Sequence, residues 1–240
     1  MKLELTVARL SVVAGITLAV GCAVHPIHDR ILQTGFCAGA ALVWVGLLAL
    51  MDGMGRLKAI MLALPLLALV PFVLPGKPID PDYLRADYVK RMRGFEHTKY
   101  VWGGENALGI DCSGLPRRAL RDALWSEGLQ RANGSAFRMW LEQWWFDSSA
   151  RAMSQGYRGR TRSLGVSGPL WELDKAPLLP GDLAVKTNGQ HVVIYLGDHR
   201  WIEADPGRGK VRSWRPAPAD GPWYDPMTLH RWVITEPLPR

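Results

Sequence analysis

Cys112 lies in Gly109-Ile110-Asp111-Cys112-Ser113-Gly114 and is the one cysteine of three outside the apolar stretches at the front of the chain. It has no partner for an intradomain disulfide. Asp111 can cap a helix that begins at Cys112, and a thiol at a helix N-terminus has its thiolate favoured by the dipole and by unpaired N–H groups. That setting makes a nucleophile. The commonest fate of a free cysteine is a small buried hydrophobe, but glycines on both sides would let a substrate backbone come close. Among six histidines, His191 opens the apolar run 192–197, where a ring is held at the rim of a sheet and reached from a cleft. His25 and His28 belong to the apolar front, His199 to a tight turn, and His97 and His230 lack such a context.

These groups need a helix and a sheet to hold them. After a short hinge at Gly76, Lys77 and Pro78, Asp80 suits an N-cap and Pro81 a first helical position, with Leu84, Tyr88 and Met92 recurring on one face. A helical run follows Cys112 over 115–125. A second amphipathic helix is expected over 135–153, with Phe137, Trp140, Leu141, Trp144 and Trp145 on one stripe. Strands are expected at 183–187, 191–196, 201–204, 211–214 and 231–235, separated by Asn-Gly, Gly-Asp and Pro-Gly turn signals. Helices first and a meander of strands afterwards reads as α+β.

The front of the chain has a different chemistry. Of 29 Lys and Arg and 22 Asp and Glu, only five basic and three acidic residues fall in 1–76. Residues 10–28, 31–51 and 59–76 are uncharged, stretches of 19, 21 and 18 residues against the roughly 20 of a spanning helix. The chain thus divides into a membrane anchor, 1–76, with three transmembrane helices at about 8–28, 31–51 and 58–76, and a domain at 77–240. Ala19-Val20-Gly21-Cys22 resembles a lipoprotein cleavage site, but cleavage would leave two further spans behind it, so three retained helices are expected. Pro65 and Pro71 do not bar the third span. Gly35 and Gly39 form a GxxxG pattern that suits close helix–helix association. Lys2, Arg9, Arg56 and Lys58 place the N-terminus inside and the domain outside; the basic run 90–93 pulls the other way, within a long exported segment where charge counts for little.

Tyr100-Val101-Trp102-Gly103-Gly104, then Asp111-Cys112-Ser113-Gly114, then Pro180-Gly181-Asp182-Leu183, then His191-Val-Val-Ile-Tyr-Leu-Gly resembles, in this order, the NlpC family of papain-like cell-wall cysteine peptidases. The resemblance covers residues 83–204. It implies a nucleophile-bearing helix packed on an antiparallel sheet and hydrolysis of amide bonds in peptidoglycan stem peptides. Carried over, Cys112 is the nucleophile, His191 the general base, and Tyr100 directs its hydroxyl toward the reacting carbonyl or the thiolate. Asp111 and Ser113 help hold substrate in some members; Trp102 and Gly103 are expected beside them. The family's third polar residue, which orients the histidine, falls twelve residues later at Glu203. A carboxylate can do this by accepting the other ring N–H, with Asp205 or a backbone group as the alternative. Register objects: a plain two-residue turn at Asp198-His199 would pair Ile194 with Glu203 and put it on the face opposite His191, so an extra residue or a bulge is required.

Two features depart from the family. Pro116 is expected to disturb the helix just after its first turn. The 79 residues from Cys112 to His191 are long, with a helical insertion at about 126–176 that would cap the cleft or add core. Cys22, His25 and His28 at i, i+3 and i+6 lack a fourth metal ligand, so no metal and no cofactor is expected. The domain's charge of +5 suits an acidic wall or lipid head groups, without any nucleic-acid motif. The resulting reading is a multi-pass protein of the bacterial inner membrane with its peptidase domain on the periplasmic or extracellular side. Its partners would be muropeptides and membrane lipid. An amidase or acyltransferase on the same scaffold, or a non-catalytic wall-binding module, stays open beside it.

Overall fold

Pro26 and Pro75 follow the ends of two of the apolar helices, and Asp29 caps the start of a third. The computed structural model describes residues 2–173, 177–217 and 225–237. Helices α1 (Lys2–Val24), α2 (Arg30–Leu50) and α3 (Gly55–Val73) are each long and apolar enough to cross a membrane. Helix α1 runs from Lys2 to Val24, not about 8–28: Lys2, Glu4 and Arg9 are ordinary helix formers, and Pro26 disfavours helix at the residue before it. Helix α3 starts and stops three residues before the expected 58–76, with Pro75 beyond its end, while Pro65 and Pro71 lie within it. Helices α1 and α2 touch through glycine. A Cβ on Gly39 would lie 2.6 Å from the Ala19 nitrogen, and one on Gly15 2.7 Å from the Gly39 oxygen.

The expected hinge is clamped. Asn133 accepts from the Lys77 N–H at 2.9 Å and donates to the Lys77 carbonyl at 3.1 Å, and Gly134 N–H donates to Pro75. Helix α4 (Pro81–Arg93) then follows, capped by Asp80, with Leu84, Tyr88 and Met92 fully buried. A two-stranded hairpin, β1 (Glu105–Asn106) and β2 (Gly109–Ile110), leads into α5 (Gly114–Arg131). Pro116 leaves α5 intact, because its missing N–H falls among the first-turn donors that have no helical acceptor.

The helix expected over 135–153 is two. Helix α6 (Gly134–Trp145) ends where Phe146 turns extended, and α7 (Ala150–Ser154) restarts under a Ser149 cap. The stretch 126–176 is also not wholly helical. It holds β3 (Thr161–Gly168), a polar, glycine-bearing strand whose apolar alternation is limited to Leu164 and Val166, and the short α8 (Leu170–Leu173). The sheet continues with β4 (Leu183–Lys186), β5 (Val192–Gly197), β6 (Arg200–Asp205), β7 (Lys210–Trp214) and β8 (Met227–Trp232), in the antiparallel order β3-β8-β4-β5-β6-β7. The fifth expected strand, 231–235, is displaced. Buried His230 and Arg231 break the apolar pattern of β8, and residues after Trp232 turn into a 3₁₀ helix.

Helices α4 and α5 pack with Val192, Ile194, Ile202 and Trp232 in the larger core, while Leu170, Val193, Tyr195, Trp201 and Leu229 form the smaller one. The start of β4 is tied to β8 by Asp182, whose carboxylate takes two hydrogen bonds of 2.6 Å from Arg231 and one of 2.8 Å from the Leu179 N–H. Both side chains of the pair are buried. Breaking a buried ion pair strands a charge in low dielectric, so Asp182→Ala should lose about 3–5 kcal/mol, read as a lowered urea midpoint of the detergent-solubilised chain.

Candidate active site

Asp111 organises the entrance of α5. Its Oδ1 accepts from the N–H groups of Ser113 (2.9 Å) and Gly114 (2.6 Å), and its carbonyl from Leu115 (3.1 Å). The regular helix therefore begins at Gly114, two residues later than expected, with Cys112 in the turn that enters it. The other carboxylate oxygen accepts from the Gly103 N–H at 2.8 Å, tying the Tyr-Val-Trp-Gly-Gly loop to the thiol. This approach leaves no room at Gly114, where a Cβ would collide with the Gly104 carbonyl.

His191 stands at the mouth of β5, its carbonyl held by the Lys186 N–H at 3.0 Å across a turn that contains Gly189 at φ +73°. The register problem is solved in β5. Asp198 and His199 both adopt positive φ in a two-residue turn, Gly197 faces Arg200, and Leu196 is the extra residue, so Tyr195 pairs Trp201 and Ile194 pairs Ile202. Continued, that register sets Glu203 across from Val193, on the face of His191. His191 Nε2 and Glu203 Oε2 are 2.7 Å apart, and Cys112, whose Sγ lies 4.0 Å from the neighbouring Gln190 carbonyl, is close enough to act on the ring's charge. Asp205 is engaged elsewhere: it accepts from Arg212 at 2.8 Å and from the Gly207 and Arg208 N–H groups.

The electrostatics follow from this line of groups. Burial alone would depress the His191 imidazolium, but the hydrogen bonds and charges of Cys112 and Glu203 outweigh it and push the ring up to about 9. Burial raises the Glu203 carboxyl, against the pull of His191 and of Arg212, whose Nη2 lies 3.0 Å from Oε1. Burial, with the nearby charges of Cys112 and Asp111, raises Tyr100 above the usual phenol range, which keeps its hydroxyl a proton donor.

A cavity of about 440 Å³ opens at Cys112. Trp102, Gly103, Asp111 and Ser113 all line it, as do Arg117 and Arg151, which sequence reasoning missed. Arg117 is buried against Glu105 and Asp147, so it reads in sequence as an ordinary helix charge. His28, assigned to the membrane half, also reaches this wall. The link between α1 and α2 lies along the cleft loop: His28 N–H donates to Gly103 and Glu105 N–H to Pro26, both at 2.8 Å. His28 lies 3.2 Å from Arg121, and its pKa is lowered, by burial first.

A thiol at a helix entrance, facing an imidazole–carboxylate pair on an antiparallel sheet, defines a papain-like α+β domain. The chain belongs to the NlpC/P60 family, whose sequence profile matches residues 97–231. Among curated proteins none matches it. Solved structures similar to it include the peptidoglycan hydrolase RipB from Mycobacterium tuberculosis, at 21% identity over 63% of this chain and 65% of RipB, with a TM-score of 0.39. The P60 domain of antigen MAP1204 from M. avium subspecies paratuberculosis is 21% identical over 66% of this chain and 99% of that domain, with a TM-score of 0.41. An NlpC/P60 family protein from Bacillus cereus ATCC 10987 is 18% identical over 68% and 43%, at 0.41. The chain thus spans just under two thirds of RipB.

With its pKa raised to about 9, His191 should remain an imidazolium through neutral pH. A group raised on folding stabilises the fold fully at low pH, and that contribution fades as pH rises through about 9. Nitrogen NMR of the labelled ring should place its titration near there, and Glu203→Gln should move it to lower pH.

Proposed function

We propose that this chain is a membrane-anchored cysteine peptidase that hydrolyses amide bonds in peptidoglycan stem peptides. The observation that carries the reading is the Cys112 thiol on the wall of an open cleft, with the buried His191 ring behind it acted on by both the thiol and Glu203, in an NlpC/P60 domain. Cys112, as the thiolate, attacks the scissile carbonyl. The charge that develops on oxygen is met by the N–H of Cys112 and the hydroxyl of Tyr100. His191 gives its proton to the leaving amine as the C–N bond breaks, and an acyl-enzyme thioester remains. The neutral ring then takes a proton from water, which attacks the thioester; the acid product leaves and the thiolate–imidazolium pair is restored. Glu203 fixes the ring orientation and favours its charged form. Trp102, Gly103, Asp111 and Ser113 contact the peptide on either side of the bond.

Three candidate spans put the α1–α2 link and the domain on one side of a membrane, which fits the packing of Pro26 and His28 against the cleft loop. The side we propose is the periplasmic or extracellular one, where the wall is. Peptidoglycan fragments incubated with the full chain should give, by mass spectrometry, products cut within the stem peptide; cleavage between glycan and peptide would mark an amidase instead. Cys112→Ala should abolish turnover and keep the fold. His191→Ala should remove nearly all activity, whereas Glu203→Gln should lose only about ten- to a hundredfold, the worth of a charge-assisted hydrogen bond of roughly 1.5–3 kcal/mol. Wild-type rates in Glu203→Gln would remove Glu203 from the mechanism.

Reporter fusions at the C-terminus should behave as exported. A cytoplasmic signal would reverse the topology and take the wall away as substrate.

A further inference from the structure

A second cavity, of about 450 Å³, lies on the far side of the wall formed by His28 and Glu105, between the α1–α2 link, α5 and α6. That volume is within the range of roughly 300–1,000 Å³ typical of ligand sites. Its lining is divided. Leu32, Phe36, Trp140, Leu141 and Trp144 form one end, and their rings are in contact: Phe36 meets Trp144 edge-on at 6.4 Å, and Trp140 stacks on Trp144 at 6.4 Å. The other end is charged and hydrogen-bonding. Arg118 is paired with Asp122 at 2.9 Å, and Arg121 lies 3.6 Å from Glu105. Gln33, 3% exposed, lines the cavity with its Oε1 unpartnered.

We propose that this cavity binds one lipid, with an acyl chain against Leu32, Phe36, Leu141 and Trp144 and a zwitterionic head group at the Arg118–Asp122 and Arg121–Glu105 end. Its position selects the occupant. The apolar end is built on the first turns of α2 and on α6, and Cys22 and Ala23 of the last turn of α1 also line the cavity. Two candidate spans leave the hydrocarbon layer there, so lipid chains are the apolar groups at hand. Tryptophan is the residue favoured at that depth. The polar end selects the head group: each arginine there already faces a carboxylate, so the site offers charges of both signs and no surplus cation for a purely anionic lipid. Gln33 Oε1 can accept from a head-group N–H or O–H. A lipid held there joins the hairpin to the domain without entering the catalytic cleft.

The test uses the full chain, solubilised in mild detergent, equilibrated with phosphatidylethanolamine and washed. Native mass spectrometry should find one lipid retained per chain. Leu141→Arg, which places a charge at the apolar end, and Leu141→Trp, which fills it, should each reduce the retained fraction at least tenfold. Neither touches the peptidase machinery, so both should hydrolyse soluble muropeptide at the wild-type rate. A photoactivatable acyl chain on the same lipid should mark 32–37 and 140–144 in wild type and lose those adducts in both variants. Retention of no lipid by the wild type, equal retention by the variants, or displacement by phosphatidylglycerol at equal concentration would overturn the assignment. The retention and cross-linking readouts do not require turnover, so failure of the peptidase reading would leave this test standing.

Discussion

The contact between His191 Nε2 and Glu203 Oε2 constrains more of this structure than any other. Both side chains are buried, where an ionised carboxylate or imidazolium alone would be costly, and each is tolerable only because the other is there. The pairing requires β5 and β6 to be offset by one residue from a plain hairpin, and the bulge at Leu196 supplies the offset. A turn with two residues at positive φ and a strand with one residue too many would each be unfavourable alone. Together they bring the carboxylate to the ring's face, and Arg212, from β7, bounds the far side of Glu203. Three consecutive strands are thereby locked in register by one buried polar line whose outer end is Cys112.

That line fixes half of the site; the other half is fixed by Asp111. Its two oxygens hold the entrance of α5 and the Gly103 N–H, so the thiol and the loop beside it move as one unit. The loop is flanked on its outer side by Pro26 and His28, an edge that a domain lacking α1 and α2 would expose. Helix α6 adds a second connection, because Arg138 donates to the carbonyls of Phe72 and Leu74 at 2.9 and 3.1 Å, and Phe72 packs edge-on against Phe137. The three apolar helices are therefore part of the cleft's framework.

The parts of the fold that were legible in sequence are those whose signals are local. Asp80 with Pro81, the 3.6-residue spacing of Leu84, Tyr88 and Met92, and the turn residues between β4 and β7 all act within a few positions of themselves. Cys112 and His191 were legible because each lies inside a motif. What escaped depends on distant partners. Strand β3 alternates only over Leu164 and Val166, too short a signal to read, and is held by its pairing with β8, about 65 residues away; the position of β8 was obscured because Arg231 is buried for the sake of Asp182. Arg117, Arg151 and His28 reach the cleft from elements whose sequence neighbours give no hint of it.

The case of His28 shows why a membrane-half histidine can be invisible as a site residue and still matter to the site. Hydropathy assigns residues by what they can dissolve in, and the run from 10 to 28 is uncharged, so His28 was counted with the span. Backbone sterics assign them differently: Pro26 ends the helix at Val24, and Asp29 caps the next one by accepting from the Leu32 N–H at 2.8 Å. Between these two stops only five residues remain, too few to form a loop that stands away from the domain. The link therefore lies along the Gly103–Glu105 segment, pairing with the Gly103 carbonyl and the Glu105 N–H, and carries His28 into the cavity wall with it. The short connection between α1 and α2 thus decides what borders the Cys112 cleft, and it does so through main-chain hydrogen bonds that depend little on which side chains it bears.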